Sequence, residues 1–256
     1  MKDGNELIHH FDEKDYIRIN KYLSDKGICS RREADKLIAQ QRITINGIIA
    51  EIGSKVLKND QVRLDNKLIS PKVECRIYIA FNKPVGITCT TDRSIPSNIV
   101  DYINYPKRIF HIGRLDKDSD GLILMTNDGD IVNKILRASN NHEKEYIVTV
   151  NKPVTDAFIS DMCSGVKILD TITKPCTVVR KSKYVFKIIL TQGLNRQIRR
   201  MCAVFGYEVT RLQRIRIMNI KLDNLPIGKW RYLNDTELKK LNSLISTSIK
   251  TEEASL

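Results

Sequence analysis

The chain has 256 residues, 41% hydrophobic and 29% charged, a balance that suits a folded soluble protein and argues against a disordered one. Its longest apolar runs, such as Ile77-Tyr78-Ile79-Ala80-Phe81, are far too short to span a bilayer. The net charge of +13 points to a polyanionic partner, whether nucleic acid, an anionic membrane surface or an acidic protein, with a basic solubility coat as the bland alternative.

Met1 to Lys14 is acidic and His-bearing without an apolar signal core, so the expected location is cytoplasmic, and residues 1–16 read as polar and frayed. From Ile17 the pattern becomes helical, with Ile19, Tyr22 and Leu23 on one face and Gly27 as a stop. Ser30-Arg31-Arg32-Glu33 has the form of a capping box, opening a helix that buries Ala34, Leu37 and Ile38. Two short strands, Arg42–Ile45 and Ile48–Ala50, flank Asn46-Gly47, a strong hairpin signal, and Val62–Leu64 adds another. This makes a compact module over 17–67, followed by a linker over 68–76 that contains Ser70-Pro71-Lys72.

Strands are then expected at 77–81, 109–112, 122–125, 146–150, 178–179 and 184–190. Helices are expected at 97–103, 130–136, 155–163 and 196–205. Without regular βαβ alternation the fold class is α+β: a small basic domain of two helices plus a small sheet, then a larger mixed domain over 77–245 with a mainly antiparallel sheet. The tail, 246–256, reads as disordered. No basic amphipathic helix with a continuous apolar face stands out, so a membrane partner is not expected. The six cysteines are scattered, without a CxxC pair or histidines at zinc spacing, so no metal is expected.

In the first module Lys21, Lys26, Arg31, Arg32 and Lys36 cluster on the helices, with Arg42 at the start of a strand. Arg31 and Arg32 fall in a first helical turn, where the macrodipole disfavours cations. Phosphate contact would explain that cost; a solvated helix end is the alternative. Arg18-Ile19-Asn20-Lys21-Tyr22-Leu23, Cys29-Ser30-Arg31-Arg32-Glu33-Ala34-Asp35 and Ile45-Asn46-Gly47 together resemble, over about 17–64, a small RNA-binding domain. That domain is shared by a small-subunit ribosomal protein and several RNA-modifying enzymes. The resemblance implies recognition of helical RNA through shape and phosphates, with Lys21, Arg31, Arg32 and Lys36 as contacts.

Four segments of the larger domain are candidates for chemistry. Asn82-Lys83-Pro84-Val85-Gly86 reads only as a turn. Gly113-Arg114-Leu115-Asp116-Lys117-Asp118-Ser119-Asp120-Gly121 matches the opening of a calcium loop. The twelfth loop position is Asn127, however, and the approach is strand-like, so the calcium reading fails. Asp118 and Asp120 then read as an acidic surface turn, while paired carboxylates for glycoside hydrolysis stay open. In His142-Glu143-Lys144-Glu145-Tyr146, alternation puts Lys144 and Tyr146 on one face, and the tyrosine serves packing or stacks on an extruded base. The fourth segment is Gln192-Gly193-Leu194-Asn195-Arg196-Gln197-Ile198-Arg199-Arg200-Met201, a strand-to-helix turn. Its apolar stripe leaves Arg196 and Arg200 outside and Arg199 half buried, where a guanidinium needs a carboxylate.

In this order the four segments resemble the RsuA-type family of pseudouridine synthases over about 77–233. Asn133-Lys134-Ile135-Leu136-Arg137-Ala138 and Arg216-Ile217-Met218-Asn219 look most like the branch acting on large-subunit ribosomal RNA. The resemblance implies isomerisation of uridine to pseudouridine in ribosomal RNA without a cofactor; a monomer is expected, with transfer RNA as a further candidate substrate. It assigns nucleophilic attack to Asp116. Arg199 is expected beside it, since an adjacent guanidinium favours the ionised carboxylate and fixes its geometry. Tyr146 is expected against the uracil, and Arg114, Lys144, Arg196 and Arg200 are expected to contact RNA. A non-catalytic, ribosome-associated RNA-binding protein and a nucleoside hydrolase are the competing readings.

Overall fold

The computed structural model describes residues 16–69, 75–136, 140–246 and 248. The frayed start and most of the tail expected above lie outside these residues. Two compact units emerge, one formed by the residues before 77 together with 127–129, the other by 77–126 and 130 onward.

The first unit runs β1 (Tyr16–Arg18), α1 (Ile19–Asp25), α2 (Arg31–Ala39), β2 (Ile43–Ile45), β3 (Ile48–Ile49), β4 (Lys55–Leu57), β5 (Val62–Leu64) and β6 (Lys67–Leu68). β1 pairs with β4, and a four-stranded sheet has the order β3-β2-β5-β6. The capping box forms: Glu33 N–H donates to Ser30 Oγ and Ser30 N–H reaches the Glu33 carboxylate, satisfying two free donors of α2. Asn46 and Gly47 both take positive φ, +52° and +84°, the backbone of a two-residue hairpin turn. Ile19, Leu23, Ala34, Ile38, Ile43, Val56, Val62 and Ile69 make the core, with Leu37 only partly buried. Leu68 and Ile69 thus belong to this unit, not to a linker.

The second unit continues with β7 (Tyr78–Lys83), α3 (Ile99–Ile103), β8 (Phe110–Ile112), β9 (Asp120–Thr126), α4 (Gly129–Leu136), β10 (Lys144–Val150), α5 (Asp156–Cys163), β11 (Lys167–Ile168) and β12 (Thr171–Ile172). It closes with β13 (Thr177–Ser182), β14 (Val185–Leu190), α6 (Gln197–Val204), β15 (Val209–Ile217), β16 (Ile220–Lys221), β17 (Trp230–Tyr232) and α7 (Asp235–Ile245). The main sheet has the order β13-β14-β10-β15-β9-β7-β17, with β16 on β15 and β8 on β9. β15 and β9 are parallel; the other neighbours are antiparallel. Phe81, Ile123, Phe186 and Ile188 are fully buried at its core, each stabilising the fold by about 1.5–3 kcal/mol.

Two local features aim the sheet at one site. At the parallel pair, Gly121 lies opposite Arg214 with φ of +110°, and a Cβ there would sit 2.3 Å from the Arg214 carbonyl oxygen. Only glycine permits that approach. Along β15 the register against β10 shifts between Glu145 and Tyr146: Arg216 faces Glu145, but Arg214 faces Tyr146. The extra residue is a bulge, and it turns Arg214 to the opposite face from Arg216. Leu212, Arg214 and Ile217 are accordingly buried, while Arg216 pairs with Glu145 at 2.7 Å and Glu143 at 2.9 Å on the other side.

Candidate active site

A cleft of about 780 Å³ opens over β10 and β15, within the size range of small-molecule sites. Lys144, Tyr146, Leu190, Leu212 and Arg214 form part of its lining, and Val132, Ile135 and Leu136 of α4 contribute an apolar wall. The segments Gly113–Lys117 and Gln192–Ile198 supply the rest, with Thr88 and Cys89. Lys144 and Tyr146 do share the buried face of β10, as strand alternation requires.

Asp116 sits in the loop between β8 and β9, and that loop is held from several sides. His111 Nδ1–H donates to the Gly113 carbonyl at 2.7 Å, and Leu115 N–H meets Cys89 Sγ at 3.4 Å. Ser119 N–H donates to the Asp116 carbonyl and Gly86 N–H to that of Lys117. Burial pushes both Cys89 and His111 toward their neutral forms, and Arg114 reinforces the effect on His111. Cys89 and His111 thus hold the chain around the carboxylate as uncharged partners.

Two guanidiniums approach from the α6 side. Arg199 Nη1 donates to the Val209 carbonyl at 2.9 Å, while Nη2 donates to the Asp118 carbonyl at 3.0 Å and Ser119 Oγ at 3.2 Å. Its Nε is buried without a hydrogen-bond partner, 4.0 Å from Asp116 Oδ2. Arg196, itself in a left-handed conformation at the start of α6, grips Asp118 with two bonds of 3.1 Å and lies 3.8 Å from Asp116 Oδ2. Burial raises the Asp118 pKa, but Arg196 and Arg199 outweigh it and hold the carboxyl below its usual value. Asp116 is left as the carboxylate in this cleft with no bidentate partner, and its side chain keeps 29% of its exposure.

A carboxylate flanked by guanidiniums beside a tyrosine in a half-apolar cleft suits chemistry on a planar base. Residues 77–204 match the RNA pseudouridylate synthase family and residues 17–62 the S4 domain. The dual-specificity RNA pseudouridine synthase RluF of Salmonella typhi is 58% identical over 90% of this chain and 80% of its own length. The chain belongs to the RsuA-type family of pseudouridine synthases. An uncharacterized RNA pseudouridine synthase of Aquifex aeolicus is 36% identical to this synthase, over 88% of this chain and 93% of its own. A crystal structure of a pseudouridylate synthase superposes with a TM-score of 0.65 at 29% identity, covering 88% of this chain and 99% of that one. The family membership overturns the non-catalytic and nucleoside-hydrolase readings.

Other expectations need correction. Asp120 is no surface carboxylate: it is buried in β9 and accepts from Arg211 at 3.0 Å and Gln213 at 2.9 Å. Asp118 is a partner of Arg196 and Arg199, not a free turn residue. Arg114 is exposed in the loop at the cleft. Lys144, expected on RNA, is buried, with the His142 carbonyl at 3.4 Å as its contact. Arg200 is exposed and folds onto Asn195. In the first unit Lys21 pairs with Asp25 and Arg42 with Asp65, leaving Arg31, Arg32 and Lys36 as exposed cations of α2.

Sequence reading missed Arg214, which lines the cleft and is buried, because it expected no strand at β15, and the bulge that turns this residue inward leaves no trace in the residue pattern. It also passed over Lys83, fully buried at the end of β7, whose ammonium donates to the Pro84 and Ile87 carbonyls and shapes the turn leading to Cys89. Among the described residues no group of three His, Cys, Asp or Glu side chains converges as a metal site, and no helix is long and apolar enough to cross a membrane.

Proposed function

We propose that this synthase isomerises a specific uridine in large-subunit ribosomal RNA, with Asp116 as nucleophile. The observation that carries this reading is the Asp116 carboxylate, open to the cleft and 3.8–4.0 Å from two guanidiniums whose hydrogen bonds go elsewhere. The uridine flips out of its stack, at a cost of roughly a few kcal/mol, and its base enters the cleft. The bond between uracil N1 and C1′ breaks, the base turns over, and a C5–C1′ bond forms while the C5 proton leaves. Arg199 positions Asp116. Tyr146 lies against the uracil face and assists removal of the C5 proton.

Arg31, Arg32 and Lys36 on α2 contact phosphates of the surrounding helix, with Lys21 at their flank, and Arg114, Arg196 and Arg200 line the RNA's path beside the cleft. The enzyme acts as a monomer in the cytoplasm. The term dual-specificity in the relatives' name favours a second RNA, and transfer RNA is the one to test.

Tritium release from RNA transcribed with C5-tritiated uridine tests the substrate. Release from a large-subunit transcript at many times the small-subunit rate is expected. Equal rates, or release only from transfer RNA, would refute the ribosomal assignment.

A further inference from the structure

Lys83, Lys144 and Arg214 of the second unit are buried without a carboxylate ion pair among the described residues. Lys83 is satisfied by two carbonyls. Lys144 and Arg214 are not. Lys144 is 8% exposed and, among the described residues, its ammonium reaches just the His142 carbonyl, at 3.4 Å. Arg214 is 3% exposed; its Nε donates to the Leu122 carbonyl at 2.7 Å and its Nη1 to the Arg114 carbonyl at 3.3 Å, while Nη2 is buried without a partner. Among the described residues neither forms an ion pair with a carboxylate. Two neighbouring cations with unspent donors are costly in a dry site unless an anion joins them. The bulge in β15 matters here, because it turns Arg214 to the face that Tyr146 and Lys144 share.

Uridine isomerisation creates such an anion. Whichever atom Asp116 engages, the N1–C1′ electron pair must leave with the base, which becomes uracilate with its charge spread over N1, O2 and O4. Recoupling through C5 spends that pair on the new C–C bond; C5 then gives up its proton and N1 gains one, so no oxidant, reductant or group donor enters. We propose that Lys144 and Arg214 form an anion subsite on the cleft floor that holds the carbonyl oxygens of the departed uracilate, an assignment that rests on the uridine-isomerising reading above. Lys144 makes the direct contact and Arg214 stands behind it. Donors fixed where charge develops in a water-poor site are worth about 10²–10³-fold in rate each.

Burial, reinforced by Arg214, pushes the Lys144 ammonium down to about 8. The titratable or charged groups around it are His142 and Tyr146 on its own chain segment, Arg214 on β15, His111, Arg114, Asp116 and Lys117 from the β8–β9 segment, and Arg196 before α6. Lys144 is therefore charged at neutral pH and loses its proton within the range of an assay.

The test uses the full-length enzyme and a pseudouridine-forming transcript, comparing wild type, Lys144→Met, Lys144→Arg and Asp116→Asn. Single-turnover rate and RNA affinity are measured from pH 6 to 9.5. Lys144→Met is expected to bind RNA within about twofold of wild type and to turn over about 10²–10³-fold more slowly. Lys144→Arg is expected to recover at least about tenfold of that loss and to lack the wild-type decline in rate above pH 8. A Lys144→Met rate within about threefold of wild type would overturn the subsite, as would a wild-type pH decline that persists in Lys144→Arg. If the methionine variant does not fold, the arginine profile decides. Turnover by Asp116→Asn at the wild-type rate would instead bring down the Asp116 reading, whatever Lys144 does.

Discussion

On α2 of the first unit Arg31, Arg32 and Lys36 stand exposed, without ion pairs among the described residues, whereas Lys83, Lys144 and Arg214 of the second unit are buried against carbonyls and strand backbone. Arg31 and Arg32, in the first turn of α2, cost a few tenths to about 1 kcal/mol each, whereas Lys36 sits in the last turn, where the macrodipole favours a cation. In the proposed function all three act through counterion release on an RNA helix. A buried cation costs several kcal/mol to desolvate and acts on the one group placed beside it. On the proposed function, positive charge thus serves two purposes in one basic chain: capture on the surface, and control of charge in a cleft. Net charge alone cannot separate them.

Removing Arg199, a further, largely buried cation beside Asp116, tests the separation most severely. Arg199→Ala is expected to lower turnover about 10²–10³-fold with RNA affinity nearly unchanged, because Asp116 loses its buried neighbour and the Asp118–Ser119 turn its clamp. An Arg199→Ala defect confined to RNA affinity would erase the distinction between the two sets. Gly121→Ala acts through the backbone, pressing a Cβ against the Arg214 carbonyl; a loss of about 3 kcal/mol in urea unfolding is expected. Lys144→Met should do the reverse and stabilise the fold near neutrality. Folded Lys144 titrates at about 8, below its unfolded value, so the unfolded chain binds the additional proton between those pH values. Wild-type stability should therefore rise by up to about 3 kcal/mol as pH climbs through that window, and the methionine variant should lack the rise. The smallest effect belongs to the surface. Arg31→Ala, Arg32→Ala and Lys36→Ala combined should reduce the slope of log affinity against log salt by about 2–3 and leave turnover of bound RNA intact. An unchanged salt slope would remove α2 from the RNA contact.

Local rules made some of this legible before any coordinates. Ser30 with Glu33 announced the start of α2, and Asn46-Gly47 the β2–β3 hairpin, because both depend on neighbours within four residues. Alternation placed Lys144 and Tyr146 on one face of β10. The same rule applied to β15 would join Leu212, Arg214 and Arg216, and the bulge breaks it. The central strand β15, the edge strand β17 and α7 escaped notice altogether. Asp118 and Asp120 look alike in sequence, yet one is held by arginines at the cleft and the other is locked in β9 by Arg211 and Gln213, about 90 residues away. Long-range partners of that kind leave no local signature.

Asp116 carries the central claim. The most direct measurement is the single-turnover rate of pseudouridine formation by Asp116→Asn at saturating RNA, with dissociation constants measured in parallel. Affinity within about twofold of wild type and a rate at least about 10⁴-fold lower are predicted, since the substitution keeps shape and removes charge. Pseudouridine formed at a rate near that of wild type would contradict the account.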